Sequence, residues 1–505
     1  MKRKLELSEN ILVKTNENQV IHPYCFSNDS ILYHDKNGYI KKLNPGDEIK
    51  DVSFFYNDKL IFKADFYIHS ITLDNQGGFI VKLKTEAQMA LSALWGIIKD
   101  EFMMGKNNTN VNINEKLPLR GRYDEDSRIQ RLSYLENRVG KKIKHIRNTS
   151  LCSDKLNHNI ESFIGSVEIP VGIAGPLLIQ GENVNELIYA PFATTEGALI
   201  ASATRGAKAL TLSDGVITKP LEKKMIRVPV FEFNNIAEAV FAAYWLKENF
   251  NIIKFHAEKF SNHANLKNLD TLHLGKYLHV YFIYETGDAA GQNMTTICTD
   301  KACEWILKVF NETLKMPAIN FFIDGNLSSD KKVSGYNMQS GRGGRVISEC
   351  LVPNDIMKRV LRTTSEKFMH AYNIMTASSI TNGSIGFNIN TSNVIAAMYT
   401  ATGQDIASVH ESSLSQLYAE LSDTGGVYLS LTLPCLTIGT VGGGTGLPAQ
   451  NECLNILDCV GKDKVMRLAE IICGFCLALD LSTISAASVG EFVQAHEKMG
   501  RNRPC

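Results

Sequence analysis

Two carboxylates that lie far apart in the sequence are each isolated among uncharged residues. Glu196 is the only charged side chain of residues 187–204 (LIYAPFATTEGALIASAT), and Asp405 carries the only formal charge of residues 368–410. An acid buried among apolar groups is costly to ionise, so its pKa rises and it can hold a proton near neutral pH, as a general acid must. The two acids therefore predict one buried site assembled from distant segments. Either acid alone could instead cap a helix or be satisfied by backbone donors.

Five other segments contain too many small residues to be ordinary core. They are EIPVGIAGPL (168–177), TGDAAGQNMTT (286–296), SGRGGR (340–345), NGSIGFN (382–388) and TIGTVGGGTGLP (437–448). Glycine lets the backbone approach a ligand and present N–H groups to phosphates, although a single such loop is commonly just a turn. The dinucleotide fingerprint GxGxxG after a strand does not occur, so a nicotinamide cofactor would have to bind without the usual Rossmann loop.

The composition indicates a soluble globular protein of several domains. The chain has 505 residues, 44% of them hydrophobic, and its 53 lysines and arginines equal its 53 aspartates and glutamates. This balance leaves no net field to attract nucleic acid or an anionic membrane. Eleven cysteines without a spacing framework indicate free thiols in a reducing compartment. The CxxC of Cys473 and Cys476 lies in an apolar helical pattern and is predicted to be core, and we expect no metal site.

Targeting signals and membrane spans are not expected. The first residues, MKRKLELSEN, are polar where a signal peptide needs an apolar stretch. The apolar segment IICGFCLAL (471–479) is too short to cross a bilayer as a helix. We therefore expect a soluble, cytoplasmic protein.

The pattern of apolar residues divides the chain into four regions. Residues 1–85 read as short strands separated by turns, a small all-β accessory module for packing or docking, and residues 86–160 turn helical. Residues 228–325 follow the order strand, helix, strand, strand, helix, strand of a ferredoxin-like split βαβ unit. This unit is inserted into a larger helix-rich domain, residues 161–227 and 326–505. The predicted fold class is therefore multidomain α+β or α/β.

In their order along residues 93–503, these motifs resemble 3-hydroxy-3-methylglutaryl-CoA (HMG-CoA) reductase, particularly the class I form that makes mevalonate. In that family, chemistry is performed by a glutamate in ATTEG, the first lysine of DKK, an aspartate in GQD and a histidine near the C-terminus. The matching residues of this chain are Glu196, Lys331, Asp405 and His496.

The resemblance implies a reduction of the HMG thioester to mevalonate in two hydride transfers from NADPH. Lys331 would stabilise the oxyanion that forms on the thioester oxygen. Glu196, kept protonated by its apolar setting, would supply a proton during aldehyde reduction, and Asp405 would tune both groups. His496 would protonate the departing CoA thiolate, because its unperturbed pKa suits donation at neutral pH.

Binding residues are also implied by the resemblance. For the HMG carboxylate region they are Arg227, Asp330 and Lys332, since an arginine fork matches a carboxylate. Glu161, in ESFIG, would lie along the CoA moiety. For NADP(H) they are Asp288, Gly291, Asn293, Met294, Gly442, Gly443, Gly444 and Thr445. The family builds its site between two subunits, so a homodimer or homotetramer with shared active sites is implied.

The chain departs from the family pattern at three places, and two other functions remain open. The family's DAMGMNM is DAAGQNM in this chain, Met375 stands where animal members carry a substrate-binding lysine, and no serine or threonine follows Ser488, so a phosphorylation switch should be absent. One alternative is an NADPH-dependent reductase of a different acyl-CoA. The other is a non-catalytic regulatory protein with a reductase fold, against which the four matching residues argue.

Overall fold

The computed structural model describes residues 11–15, 20–21, 23–26, 30–35, 44–56, 59–73, 79–85, 116–314, 318 and 320–490. The chain divides into two compact units, residues 1–116 and residues 117–505. The helical pattern predicted to begin at residue 86 lies outside the described residues as far as residue 115.

The described part of the first unit is all β. The strands are β1 (Ile11–Lys14), β2 (Val20–Ile21), β3 (Pro23–Phe26), β4 (Ser30–Asp35), β5 (Glu48–Tyr56), β6 (Lys59–Leu73) and β7 (Phe79–Lys84). They pair antiparallel in the spatial order β2-β1-β5-β6-β7-β4-β3. Side chains at alternate positions, among them Phe54 and Phe66 with ring centroids 5.3 Å apart, form its core. The chain turns at Pro45 and Gly46 before β5 begins.

The second unit is mixed α/β. Its strands are β8 (Val171–Gln180), β9 (Asn185–Ala193), β10 (Val216–Arg227), β11 (Val230–Glu232), β12 (Asn265–Leu274), β13 (Tyr277–Glu285), β14 (Asn320–Phe322), β15 (Gly343–Val352), β16 (Gln416–Leu421) and β17 (Val427–Leu436). Its helices are α1 (Glu125–Val139), α2 (Lys144–Arg147), α3 (Leu199–Thr211), α4 (Ile236–Glu248), α5 (Phe250–Glu258), α6 (Gln292–Lys308), α7 (Gly335–Ser340), α8 (Asn354–Arg359), α9 (Ser365–Thr381), α10 (Thr391–Thr402), α11 (Val409–Ser412), α12 (Pro448–Ile456) and α13 (Val465–Ser488). Single turns of 3₁₀-helix cover Ser153–Lys155, Ile406–Ser408 and Gly443–Gly446, and a π-helical turn covers Val309–Thr313.

Strand β10 connects the two parts of the main sheet. Its first two residues pair with β8, residues 217–224 pair with β15, and its last three residues, Met225–Arg227, pair with β13. Beyond this point the elements follow the order β11, α4, α5, β12, β13, α6, β14, and the strands lie in the spatial order β14-β11-β13-β12. Each strand and helix predicted between residues 228 and 325 is present, including the strand near Leu272. These strands and helices enclose a separate apolar core.

Helix α13 is the centre of the larger core. It crosses α3 so closely that a Cβ at Gly206 would lie 1.8 Å from the carbonyl oxygen of Ala478, which is why a glycine stands there. Cys473 and Cys476 are fully buried in this helix, as the apolar pattern predicted.

Among the described residues, α13 is long and apolar enough to span a membrane by length and composition. The prediction that its apolar segment is too short was therefore wrong, because the helix extends over 24 residues. However, 89% of its most apolar window is buried against the rest of the protein, which is the setting of a core helix.

Candidate active site

Lys331 and Asp405 form an ion pair, with Nζ 2.8 Å from Oδ2. Asp405 begins the 3₁₀ turn after α10, and its other oxygen, Oδ1, accepts a hydrogen bond from the N–H of Ala407. Asp405 is therefore both a helix cap and a candidate site residue, because one carboxylate oxygen accepts from the backbone and the other pairs with Lys331. The side chains are 40% and 43% exposed, so the prediction that Asp405 is buried is wrong for the single chain.

The loop that carries Lys331 is strained. Asn326, Ser329 and Lys331 have φ angles of 65°, 51° and 55°, a region that side-chain-bearing residues rarely adopt. The buried amide of Asn337 donates from Nδ2 to the carbonyl oxygens of Ser329 and Lys332, each at 3.0 Å. These bonds hold both sides of the lysine, so the strained backbone is fixed by its surroundings.

A fully buried ion pair lies under this loop. Arg342 Nη1 is 2.6 Å from Oε1 of Glu411, and neither side chain is exposed. The other oxygen of Glu411 accepts the backbone N–H of Lys331 at 3.2 Å. Burial raises the pKa of the Glu411 carboxyl, against the opposing charge of Arg342. Sequence reasoning missed Glu411 and Asn337, although Glu411 ends the uncharged stretch around Asp405 and Arg342 lies in SGRGGR.

Arg227, at the end of β10, lies in the same network. Its Nη1 is 2.6 Å from Oδ2 of Asp324, and its Nη2 is 3.8 Å from Oδ2 of Asp330. The other oxygen of Asp330 is 3.1 Å from Nη2 of Arg342. Lys332 is exposed, and its Nζ donates to the carbonyl oxygen of Asp330. The structure thus brings together the residues predicted for the HMG carboxylate, and it adds Asp324.

Glu196 lies in the turn between β9 and α3 and is exposed, so the prediction of an apolar, buried setting is wrong for the single chain. The apolar residues nearest to it on the strand and the helix, Phe192 and Leu199, are buried, whereas the turn itself is exposed. Both of its carboxylate oxygens accept from Nδ2 of Asn393, at 2.9 and 2.8 Å. Ala198, two residues on, has a left-handed φ of 69°.

The glycine-rich segments predicted for the cofactor meet at a cleft of about 600 Å³. One wall begins at the N-terminus of α6, and the opposite wall is the loop before α12. Glycine is required where these walls approach the segment of Asp405, since a Cβ at Gly403 would lie 2.3 Å from the carbonyl oxygen of Gly444. The predicted residues on its walls are Gly291, Asn293, Met294, Asp405, Gly442, Gly443, Gly444 and Thr445.

Asp288, which was predicted to bind NADP(H), is not among the described residues that line this cleft. Its carboxylate accepts from the backbone N–H groups of Asp463, Lys464 and Val465, at 2.8 to 3.1 Å, and so caps the start of α13. Close to Asp288, Nζ of Lys223 donates a hydrogen bond to the Thr286 hydroxyl at 3.0 Å.

Lys223 also donates to two carbonyl oxygens of the same loop, those of Gly287 and Ala289, the second at 2.6 Å. Burial lowers the pKa of Lys223 to about 8, although the charge of Asp288 opposes the shift. Lys223, which sequence reasoning missed, thus fixes the loop that leads into α6.

Two predicted site residues, Glu161 and His496, and two departures from the family pattern, Met375 and Gln292, remain to be located. Glu161 is exposed, in a segment that the buried Arg131 holds through the carbonyl oxygen of Phe163 at 3.1 Å. Met375 is partly buried and packs against the large core. Gln292, the glutamine of DAAGQNM, donates to the Ser408 hydroxyl at 3.2 Å and so links α6 to the turn after Asp405. His496 lies outside the described residues.

The fold is that of a known class of reductase. A structure of the class II 3-hydroxy-3-methylglutaryl-CoA reductase from Streptococcus pneumoniae bound to NADPH matches 71% of this chain and 96% of that chain, with a TM-score of 0.53 and 18% sequence identity. At this identity the match shows the fold alone.

A family model described as hydroxymethylglutaryl-coenzyme A reductase matches residues 127–501, and the chain belongs to this family. The 3-hydroxy-3-methylglutaryl-coenzyme A reductase of Methanocaldococcus jannaschii is 39% identical over 378 residues, which is 74% of this chain and 92% of the relative. That of Methanothermobacter thermautotrophicus is 36% identical over 409 residues, 80% of this chain and 99% of the relative. Residues 1–116 precede the region matched by the family model.

Proposed function

We propose that this protein reduces HMG-CoA to mevalonate and CoA with two NADPH. The observation that carries this proposal is the Lys331–Asp405 ion pair at a cleft walled by glycine-rich backbone. Membership of the reductase family supports it, as do the archaeal relatives, whose length the chain covers almost completely. Glu196, Lys331 and Asp405 occur in one chain with the small-residue segments 286–296 and 437–448.

In this proposal Lys331 is the electrophilic group. Negative charge builds on the thioester oxygen as the carbonyl carbon is reduced, and a fixed ammonium stabilises that charge without having to reorganise. Asp405 holds the ammonium in place, while Asn337 and Glu411 fix the backbone on either side of it. The lysine is therefore oriented before the substrate arrives.

The two walls of the cleft fit a dinucleotide. NADPH, when bound, supplies the hydride. The first N–H groups of α6 and the backbone of Gly442 to Thr445 are the donors that phosphate groups require. We assign Gly291, Asn293 and Met294 to the same role, with residues 228–325 as a ferredoxin-like cofactor domain. Asp288 acts from a distance, by joining the loop before α6 to α13.

For the substrate, Arg227, Asp330 and Lys332 are assigned to the HMG carboxylate region, and Glu161 to the CoA side. Glu196 is assigned as the proton donor in aldehyde reduction, oriented by Asn393. His496 is assigned to protonation of the CoA thiolate. Because Glu196 is exposed in the single chain, the dry setting that a carboxylic acid needs must come from another surface.

A second copy of the chain would provide that surface. Large apolar side chains are exposed along the segment that leads into β8 and on the outer faces of β8 and β9. They are Val167, Ile169, Val171, Ile173, Leu187 and Tyr189, each between 41% and 75% exposed. Strand β9 ends three residues before Glu196. A contiguous apolar patch next to a site residue is typical of a subunit interface.

Mixing two inactive variants tests this shared site. An E196Q subunit and a K331A subunit can restore one intact site in a mixed dimer if the two residues act across the interface. About a quarter of wild-type activity is then expected at equal amounts after random exchange. No activity at any ratio would place both residues of each site on one subunit.

The function itself is tested by following NADPH oxidation with HMG-CoA and with a panel of other acyl-CoA thioesters. The proposal predicts that two NADPH are consumed for each CoA released, and that HMG-CoA has the highest kcat/KM. Preference for another acyl-CoA would favour the reductase of different specificity, and no oxidation with any thioester would favour a non-catalytic protein.

A further inference from the structure

The arginine assigned to the substrate carboxylate already has an anionic partner within its own chain. Arg227 is 7% exposed, and Asp324 is 2.6 Å from its Nη1. The Nε of Arg227 is buried and has no hydrogen-bond partner among the residues that the structure describes. An arginine binds a carboxylate best through two parallel N–H groups, so a substrate carboxylate must share this guanidinium with Asp324 or displace it.

Asp324 is held in place for this contact. Its Oδ1 accepts the N–H of Asn326 at 2.7 Å, in a turn where Asn326 has a left-handed φ of 65°. Its Oδ2 is thereby directed at Arg227. The side chain is one-third exposed, so it borders the open part of the site and is not part of the core.

Asp324 determines the net charge of this network. The cations of the network are Arg227, Arg342, Lys331 and Lys332, and its carboxylates other than Asp324 are Asp330, Glu411 and Asp405. Without Asp324 these described groups carry one spare positive charge, which a substrate carboxylate would neutralise. With Asp324 the spare charge is cancelled, and an arriving carboxylate meets a like charge at short range.

We propose that Asp324 is a specificity-determining residue that competes with the distal carboxylate of the substrate for Arg227, and so weakens binding of carboxylate-bearing acyl-CoA thioesters. This inference rests on the proposed function, in which Arg227 receives that carboxylate. It assigns to Asp324 no contact with the reacting atoms and therefore no role in the chemical step.

The test is D324N, which keeps the shape of the side chain and removes its charge. The KM for HMG-CoA should fall about tenfold, with kcat within about twofold of wild type, because like-charge repulsion weakens binding and not chemistry. The matched control is E186Q, which removes the acid of the Arg467–Glu186 pair, also 2.6 Å and with an arginine 8% exposed. E186Q should leave the KM unchanged.

A binding measurement keeps the inference separate from the proposed function. Calorimetric titration with 3-hydroxy-3-methylglutarate, the free diacid, should show about tenfold tighter binding to D324N than to wild type, whether or not HMG-CoA is turned over. If wild type does not reduce HMG-CoA, the proposed function fails and this titration still decides the inference. Unchanged or weaker binding in both D324N and the smaller D324S would overturn it, because Asp324 would then only position Arg227.

Discussion

Lys331 Nζ and Asp405 Oδ2 are 2.8 Å apart, although 73 residues separate them in the chain (405 less 331, less one). The lysine lies on a strained loop after β14 and the aspartate begins a turn after α10, so only the tertiary fold joins them. Each residue also makes a hydrogen bond to another part of the fold. The backbone N–H of Lys331 donates to Glu411, and Oδ1 of Asp405 accepts from the N–H of Ala407. The pair is therefore positioned by backbone as well as by charge.

Removing the charge of Asp405 should slow turnover. In D405N the ammonium of Lys331 loses its anchor, and kcat should fall by about 10²- to 10³-fold, as for other losses of preorganised charge stabilisation. Steady-state rates with HMG-CoA and NADPH would measure this fall. The control E232Q removes a similar surface pair, Lys276–Glu232 at 2.8 Å, and should retain wild-type kcat. Equal rates for D405N and E232Q would contradict the role of Asp405.

Glu196 and Asn393 should affect the reduction of the aldehyde. E196Q removes the proton donor and should lower kcat with mevaldehyde by about 10²-fold or more. N393A leaves the acid but removes its two hydrogen bonds, so a smaller loss, about tenfold, is expected. E304Q, which alters an exposed acid on α6, is the control. Full mevaldehyde reduction by E196Q would exclude Glu196 as the acid.

Lys223 should control binding of the nicotinamide cofactor. K223M removes the bonds to Thr286, Gly287 and Ala289, which frees the loop before α6, and the KM for NADPH should rise about tenfold. Because burial lowers the pKa of Lys223 to about 8, its charge is lost as pH rises above that value, and wild-type affinity for NADPH should weaken there.

The pH series provides the check on this assignment. K223M should lack the weakening above pH 8, since it has no amine to titrate. K224M, which alters the next residue of β10 and its ion pair with Glu222, should keep both the wild-type KM and the wild-type pH profile. An NADPH KM for K223M that matches K224M at every pH would contradict the role of Lys223.

Asp480 should make stability depend on pH. It is buried in α13, where its oxygens accept the N–H groups of Ile389 and Asn390, and burial raises its pKa to about 7. The unfolded carboxyl loses its proton near pH 4, whereas the folded one keeps it until about pH 7. The folded state therefore binds more protons in this window, and the contribution of Asp480 to stability is lost as pH rises through it.

Denaturant unfolding of D480N at several pH values would measure this contribution. From pH 4 to 7 the free energy of unfolding of wild type should decline, relative to D480N, by on the order of 2–4 kcal/mol. D423N, which alters an exposed acid in the turn between β16 and β17, should keep the wild-type slope. A D480N slope equal to that of wild type would show that Asp480 does not titrate in this range.

The sequence predicted the elements well where apolar spacing is regular. The strands and helices predicted between residues 228 and 325 are present, because their apolar residues follow the period of the element that forms, although the second helix, α5, was not predicted. The resemblance also selected Lys331 and Asp405 before any geometry was known.

Burial of the site residues could not be predicted in the same way. Neighbours in sequence are not neighbours in space at a turn, and for this reason Glu196 is exposed although its run is apolar. The supporting roles of Glu411, Asn337 and Lys223 were not predicted, because these roles depend on which backbone groups the fold brings to each side chain. A local sequence pattern does not indicate which distant residues come into contact in the fold.

The central claim is that Lys331 activates the thioester carbonyl, and single-turnover reduction of HMG-CoA by K331M tests it most directly. With enzyme in excess over HMG-CoA and saturating NADPH, wild type should oxidise two NADPH for each thioester. K331M should bind NADPH as tightly as wild type yet oxidise it at least about 10³-fold more slowly, because the developing oxyanion has lost its cation. Reduction by K331M at the wild-type rate would contradict the account.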